Sequence, residues 1–175
     1  GWFKEIYGSP DDDFRFAAFS TAAAKLAQKI KADIVHCHDW HTALAAVVLK
    51  DDKLPTVLTI HNVHPGAELD HIDRRELTEL SIDPSQLISI KKNHPGYDLL
   101  AQGINAADFI TTVSPTHAEE IQAEEFGGSL AALLRSKQDK LIGIINGIDT
   151  DVFNPATDSH LRTNYSADSL PGKAD

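Results

Sequence analysis

One pattern occurs three times in this chain and limits what it can fold into: a short, nearly apolar run that opens abruptly into polar residues. It is seen at Asp33-Ile34-Val35-His36-Cys37-His38-Asp39-Trp40-His41, at Thr56-Val57-Leu58-Thr59-Ile60-His61-Asn62, and at Leu141-Ile142-Gly143-Ile144-Ile145-Asn146-Gly147. Runs this short and apolar read as strands buried on both faces, which is the signature of a parallel sheet. Amphipathic stretches lie between them, so the class is α/β, a Rossmann-like parallel sheet with helices on both faces. In such sheets ligands bind outside the carboxyl ends of the strands. The three polar ends are therefore expected to supply one pocket.

The elements can be placed along the chain. Phe16, Phe19, Ala23, Leu26 and Ile30 recur at helical spacing behind Asp11-Asp12-Asp13, whose charge suits a helix N-terminus, so a helix with that apolar face precedes the first strand at Ile34 to Cys37. Leu44, Val47 and Val48 mark the next helix, and Asp51 to Pro55 break it before the strand at Thr56 to Ile60. Residues 62–96 read as an excursion above the sheet, with turns at His64-Pro65-Gly66 and His94-Pro95-Gly96 and a short helix through Leu77, Leu80 and Ile82. A helix is predicted over Tyr97 to Ala107, a strand over Asp108 to Val113, and a helix capped by Ser114 with Pro115 in its first turn. Ser129 is expected to cap a short helix carrying Leu130, Leu133 and Leu134 ahead of the last strand. Residues 1–155 form one domain on this reading, and 156–175 a polar linker or the start of a crossover to another domain.

Composition narrows the function. A length of 175 residues, 42% of them hydrophobic, suits one core, and a formal charge of −10 argues against a nucleic-acid binder, which needs clustered Lys and Arg. No apolar run approaches bilayer length, and Gly1-Trp2-Phe3-Lys4-Glu5-Ile6 is neither a signal peptide nor a myristoylation motif, so no membrane partner is expected. The lone Cys37 fits a reducing compartment and reads as a small buried strand residue. Methionine is absent, which suggests a piece of a longer protein.

The polar ends offer several chemistries. His36, His38, Asp39 and His41 have something of the spacing of a zinc hydrolase cluster, with the aspartate displaced by one position. Asp39 at a strand-to-helix turn reads for the backbone as an N-cap, and a carboxylate there is also able to accept hydrogen bonds from sugar hydroxyls. Trp40 is a candidate for stacking on a sugar face or for packing. His61 reads equally as a structural and as a catalytic group, and Asn62 adds an amide beside it. Asn146-Gly147 combines an amide able to reach a polar substrate with a glycine that permits close backbone approach. Gly127-Gly128 reads as a flexible loop.

Taken together, His36-Cys37-His38-Asp39-Trp40-His41-Thr42-Ala43, Thr59-Ile60-His61-Asn62, Thr111-Thr112-Val113-Ser114-Pro115-Thr116 and Asn146-Gly147-Ile148-Asp149 resemble the bacterial glycogen synthase and plant starch synthase family. Arg15 to Ser20, Glu124 to Gly127 and Val152 to Asp158 extend the resemblance over nearly the whole chain. It implies part of the N-terminal half of a two-domain GT-B glycosyltransferase that transfers glucose from ADP-glucose to the non-reducing end of an α-1,4-glucan with retention of configuration. It also implies that His61 is the catalytic histidine near the glucose 6-hydroxyl, that Asp39 is the essential aspartate of the sugar pocket, and that Asn146 contacts the donor glucose, with Gly147 allowing the turn. Trp40 and Asn62 are carried with them as substrate-binding candidates. No metal or other cofactor is implied, because cationic side chains stabilise the departing diphosphate.

Those cations and the family's Lys-x-Gly-Gly loop have no match in these residues, so the isolated chain is predicted to be inactive. The rival readings are a zinc-dependent metallohydrolase built on His36, His38, Asp39 and His41, and a non-catalytic glucan-binding module. An exposed sheet edge makes self-association an expectation. The expected location is the cytoplasm of a bacterium, or the plastid for a plant or alga. After Asn62 the family's Leu-Ala-Tyr-Gln-Gly is replaced by Val63-His64-Pro65-Gly66-Ala67, a departure on the acceptor side.

Overall fold

A computed structural model describes residues 8–63, 71–90 and 96–174. The readings of Gly1 to Ile6, of His64-Pro65-Gly66 and of His94-Pro95 lie outside the described residues. The described chain falls into two units, residues 1–145 and 146–175.

The first unit is built on four parallel strands, β1 (Val35–His38), β2 (Thr56–Ile60), β5 (Phe109–Thr112) and β6 (Leu141–Gly143), in the spatial order β1-β2-β5-β6. Registers such as Cys37 with Leu58, Leu58 with Ile110 and Ile110 with Leu141 line up one apolar row across the sheet. Between β2 and β5, β3 (His71–Ile72) and β4 (Tyr97–Asp98) form a separate antiparallel pair. The helices are α1 (Asp12–Ile30), α2 (Asp39–Leu49), α3 (Arg74–Glu79), α4 (Leu99–Ala106), α5 (Pro115–Glu120), α6 (Glu124–Gly127) and α7 (Ala131–Ser136).

The core lies on one face of the sheet. Cys37, Leu58, Ile60 and Ile110 are buried there with Ala43 and Ala46 of α2, Ile104 of α4, Ile121 after α5 and Leu134 of α7. On the other alternation His36, His38, Phe109 and Ile142 are exposed, Phe109 at 52% and Ile142 at 50%, while Val57 and Thr111 are half-buried and Thr59 is buried. The helical layer expected over that second face is not found among the described residues. Strand order explains this, because crossovers that all step the same way, each with the usual right hand, place every helix on one side. A second apolar cluster, with Leu44, Ile72, Leu77, Ile82 and Leu99, seats the β3–β4 excursion against α2 and α4.

Several local expectations change. In α1 the buried face is Ala17, Ser20, Thr21, Ala24 and Ala27, while Phe19, Leu26 and Ile30 are 57%, 57% and 66% exposed. Small residues let α1 lie close against the alanine-rich α2, and the bulkier stripe is left outside. Ser114 caps α5 as expected, its Oγ accepting the His117 N–H at 2.9 Å with Pro115 at the first position. Ser129 caps nothing: it lies in a 3₁₀ turn (Gly128–Leu130) that runs directly into α7. The Gly127-Gly128 pair is helical turn rather than loose loop, and a Cβ on Gly127 would lie 1.9 Å from the Ile121 carbonyl oxygen.

The second unit has exposed apolar residues, including Ile148, Val152 and Phe153, and is held by side-chain turns. Asp149 Oδ1 accepts from the Asp151 and Val152 N–H groups at 3.0 and 3.1 Å, and Asn164 Nδ2 donates to the Pro155 and Asp158 carbonyls at 3.0 and 2.8 Å. The division between units falls at Ile145/Asn146, ahead of the 155/156 boundary expected from apolar density.

Candidate functional site at the carboxyl edge of the sheet

Parallel strands bring their carboxyl ends to one edge, and the pairing of His38 with Thr59 sets His61 one step beyond, on the same face of its strand. The chain turns sharply between β1 and α2. Asp39 takes a left-handed φ of 52°, a conformation that Asp tolerates better than most residues and that is worth noting wherever it occurs. The turn changes what its carboxylate does. Asp39 makes no N-cap bond to α2; its Oδ1 accepts the main-chain N–H of His61 at 2.7 Å, tying the β1–α2 junction to the end of β2.

His38 is anchored just as closely. Its N–H donates to Thr42 Oγ1 at 2.6 Å, and the same hydroxyl donates to the His38 carbonyl at 2.9 Å. With both main chains fixed, the imidazoles meet: His38 Nδ1 lies 3.0 Å from His61 Nε2, with ring centroids 5.3 Å apart and planes 21° from parallel. His36 stands beside His38 at 4.3 Å between centroids, and its Nε2 bonds Thr59 Oγ1 at 2.6 Å, which continues to Thr111 Oγ1 at 2.6 Å. A polar row thus crosses β1, β2 and β5 on the face opposite the core.

Burial lowers the pKa of His36, and the neighbouring His38 and His61 lower it further. His41 points elsewhere, packing edge-on to Phe16 at 4.7 Å and stacking on Trp40 at 4.1 Å, and burial lowers its pKa against an opposing pull from Asp39. Trp40 in turn meets Phe16 edge-on at 5.0 Å. The thiol of Cys37 is buried and pushed up to about 11, which suits packing and not reactivity. His36, His38, Asp39 and His41 therefore have divergent partners, and the metallohydrolase arrangement is not formed. Among the described residues no group of three or more His, Cys, Asp or Glu is placed to hold a metal ion.

Asn62 is exposed directly after His61. Asn146 and Gly147 open the second unit, both exposed, and a Cβ on Gly147 would meet nothing within 4 Å. Two contributions escaped the sequence reading: the Thr42 grip on His38 and the contact of His38 with His61. Both had a signal, the four-residue spacing of Thr42 from His38 and the period-two alignment of His36/His38 with Thr59/His61.

Parallel strands joined by helices, with a carboxylate and imidazoles at the carboxyl edge, define a Rossmann-like α/β domain with a polar site where such domains bind their ligands. Residues 2–136 match the family model of the starch synthase catalytic domain, and the chain belongs to that family. It is 40% identical over 179 residues to the glycogen synthase of Streptococcus equi subsp. equi, covering 97% of this chain and 37% of that protein. To the glycogen synthase of Bacillus cereus (strain B4264) it is 39% identical over 189 residues, covering 99% of this chain and 39% of that protein. The catalytic domain of starch synthase IV from Arabidopsis thaliana, bound to ADP and acarbose, superposes with a TM-score of 0.79 at 35% identity, covering 98% of this chain and 37% of that one. The chain thus spans less than two fifths of the length of these relatives.

Proposed function

We propose that this chain supplies one wall of the donor-sugar site of a retaining glucosyltransferase, which moves glucose from ADP-glucose to the non-reducing end of an α-1,4-glucan. The observation that carries the reading is the Asp39–His61 tie at the carboxyl edge of the sheet, in a chain of the starch synthase family. The complex of the plant relative with ADP and acarbose supports a nucleotide-sugar donor. On this reading the Asp39 carboxylate, turned away from its helix, accepts from sugar hydroxyls with the oxygen not engaged by His61. His61 offers a fixed polar contact near the glucose 6-hydroxyl, where it favours the charge of an oxocarbenium-like transition state. Asn62, Trp40 and Asn146 with Gly147 are assigned to substrate binding, the glucan is the acceptor, and no divalent ion is needed because cationic groups outside this chain hold the diphosphate. The location is the cytoplasm in a bacterium and the plastid in a plant or alga. The edge strand β1 is assigned a role in self-association of the isolated chain.

The test is glucose incorporation from ADP-glucose into glycogen by the complete synthase. His61→Ala is expected to lower kcat by roughly 10²–10³, a chelator to leave the rate unchanged, and the 175-residue chain alone to show neither turnover nor tight ADP-glucose binding. Full activity in His61→Ala overturns the assignment.

A further inference from the structure

We propose that His38 is a positioning residue for His61, holding its imidazole through the Nδ1–Nε2 hydrogen bond so that Nδ1 of His61 is the nitrogen left for ligand. The proposal rests on the reading of His61 as a donor-sugar residue. The geometry leaves the two rings little choice. A neutral imidazole carries one N–H and one lone pair, so nitrogens 3.0 Å apart bond only when one is protonated and the other is not. Both main chains are fixed independently, His38 by Thr42 and His61 by Asp39, so the rings are presented to each other instead of meeting by chance. Among the described residues, the other charged or titratable groups facing the pair are His36 from β1, which is bonded to Thr59, and Asp39 from the start of α2, which bonds the His61 main chain. Neither bonds the facing nitrogens, and Nδ1 of His61 has no partner among the described residues.

Preorganisation is the gain. A His61 ring free to turn about χ1 and χ2 would present either nitrogen in several directions, whereas one pinned at Nε2 meets a sugar hydroxyl with Nδ1 alone. The bond couples the two tautomers: with His38 Nδ1 as donor, His61 presents an Nδ1–H to ligand, and with His61 Nε2 as donor it presents an Nδ1 lone pair. Sequence spacing places the two residues for this task, since His38 and His61 end adjacent parallel strands on the same face.

Two variants separate positioning from mere packing. His38→Leu keeps bulk and removes the polar atom; His38→Asn places an amide near the position of Nδ1, able to donate or accept. In the ¹⁵N-histidine-labelled chain, a nitrogen–nitrogen coupling across the His38–His61 bond is expected. In the complete synthase His38→Leu is expected to lower kcat roughly tenfold to a hundredfold with KM for ADP-glucose nearly unchanged, while His38→Asn recovers most of the rate and both variants keep the wild-type melting temperature. Absence of the coupling in the wild-type chain, or a wild-type kcat in His38→Leu, overturns the proposal. The coupling needs no turnover. A coupled pair in a protein that transfers no glucose therefore supports the contact and overturns only the functional reading.

Discussion

At the scale of single residues, the site is made by side chains that hold other residues' main chains. Asp39 holds His61 and Thr42 holds His38, and the imidazoles follow. His36 makes the arrangement sensitive to pH. Its folded-state pKa is depressed, first by burial and then by His38 and His61. A histidine so placed binds fewer protons folded than unfolded, so its contribution to stability is complete above the unfolded value of about 6.5 and declines as pH falls through the range below it. His41, also depressed by burial, acts in the same direction. The urea midpoint of the chain is expected to drop between pH 7.5 and pH 5.5, and less steeply in His36→Gln; equal drops in both proteins would show that His36 does not couple to folding. Of these residues, Asp39 and His61 were legible in the sequence because they punctuate strand ends. The direction of the Asp39 carboxylate was not, since a capping aspartate and one in a left-handed turn look identical in one dimension.

At the scale of elements, the strands were the most legible part of the fold. β2 occupies Thr56–Ile60 as expected, and β1 and β5 shift by a residue or so at their ends, where boundaries are always soft. Helix α1 misled in its facing. Phe16 of its large apolar stripe packs on Trp40 and His41 of α2, yet Phe19, Leu26 and Ile30 face outward and the rest of the buried face is alanines and hydroxyls, because close approach of two helix backbones favours small side chains that no hydrophobic periodicity reveals. Glycines carry the same hidden information. A Cβ on Gly143 in β6 would lie 2.2 Å from the Ser114 carbonyl oxygen and 2.3 Å from the Pro115 nitrogen, so the strand passes directly over the start of α5. Neither atom belongs to a flexible side chain, and the strand must shift to admit even a methyl. Gly143→Ala is therefore expected to cost about 1–3 kcal/mol in denaturant unfolding, whereas Gly147→Ala, with open space around it, should leave stability within about 0.5 kcal/mol. A reversed order would mean that the turn at Ser114 yields more readily than its packing implies.

At the scale of the whole molecule, the alternation of strand and helix announces the α/β class, while the one-sided placement of the described helices follows from strand order, which only the structure supplies. The consequence is an uneven distribution of stability in the first unit. Leu58 is fully buried between Cys37 of β1 and Ile110 of β5, beneath α2 and in the core cluster that also holds residues of α4 and α7. Leu26 has the same side chain on the outer stripe of α1 and is 57% exposed. Removing three carbons from each asks the same chemical question in two environments. In the core, the lost transfer energy adds to a cavity that surrounding strands cannot close, for a total of about 2–5 kcal/mol. On the stripe, solvent already reaches the side chain and alanine is the better helix former, so the net change is expected to stay within about 0.5 kcal/mol. Urea unfolding of Leu58→Ala and Leu26→Ala measures the contrast. Comparable losses from the two substitutions would mean that the outer stripe of α1 is covered in solution, and that the buried face of the sheet is not where most of the folding energy resides.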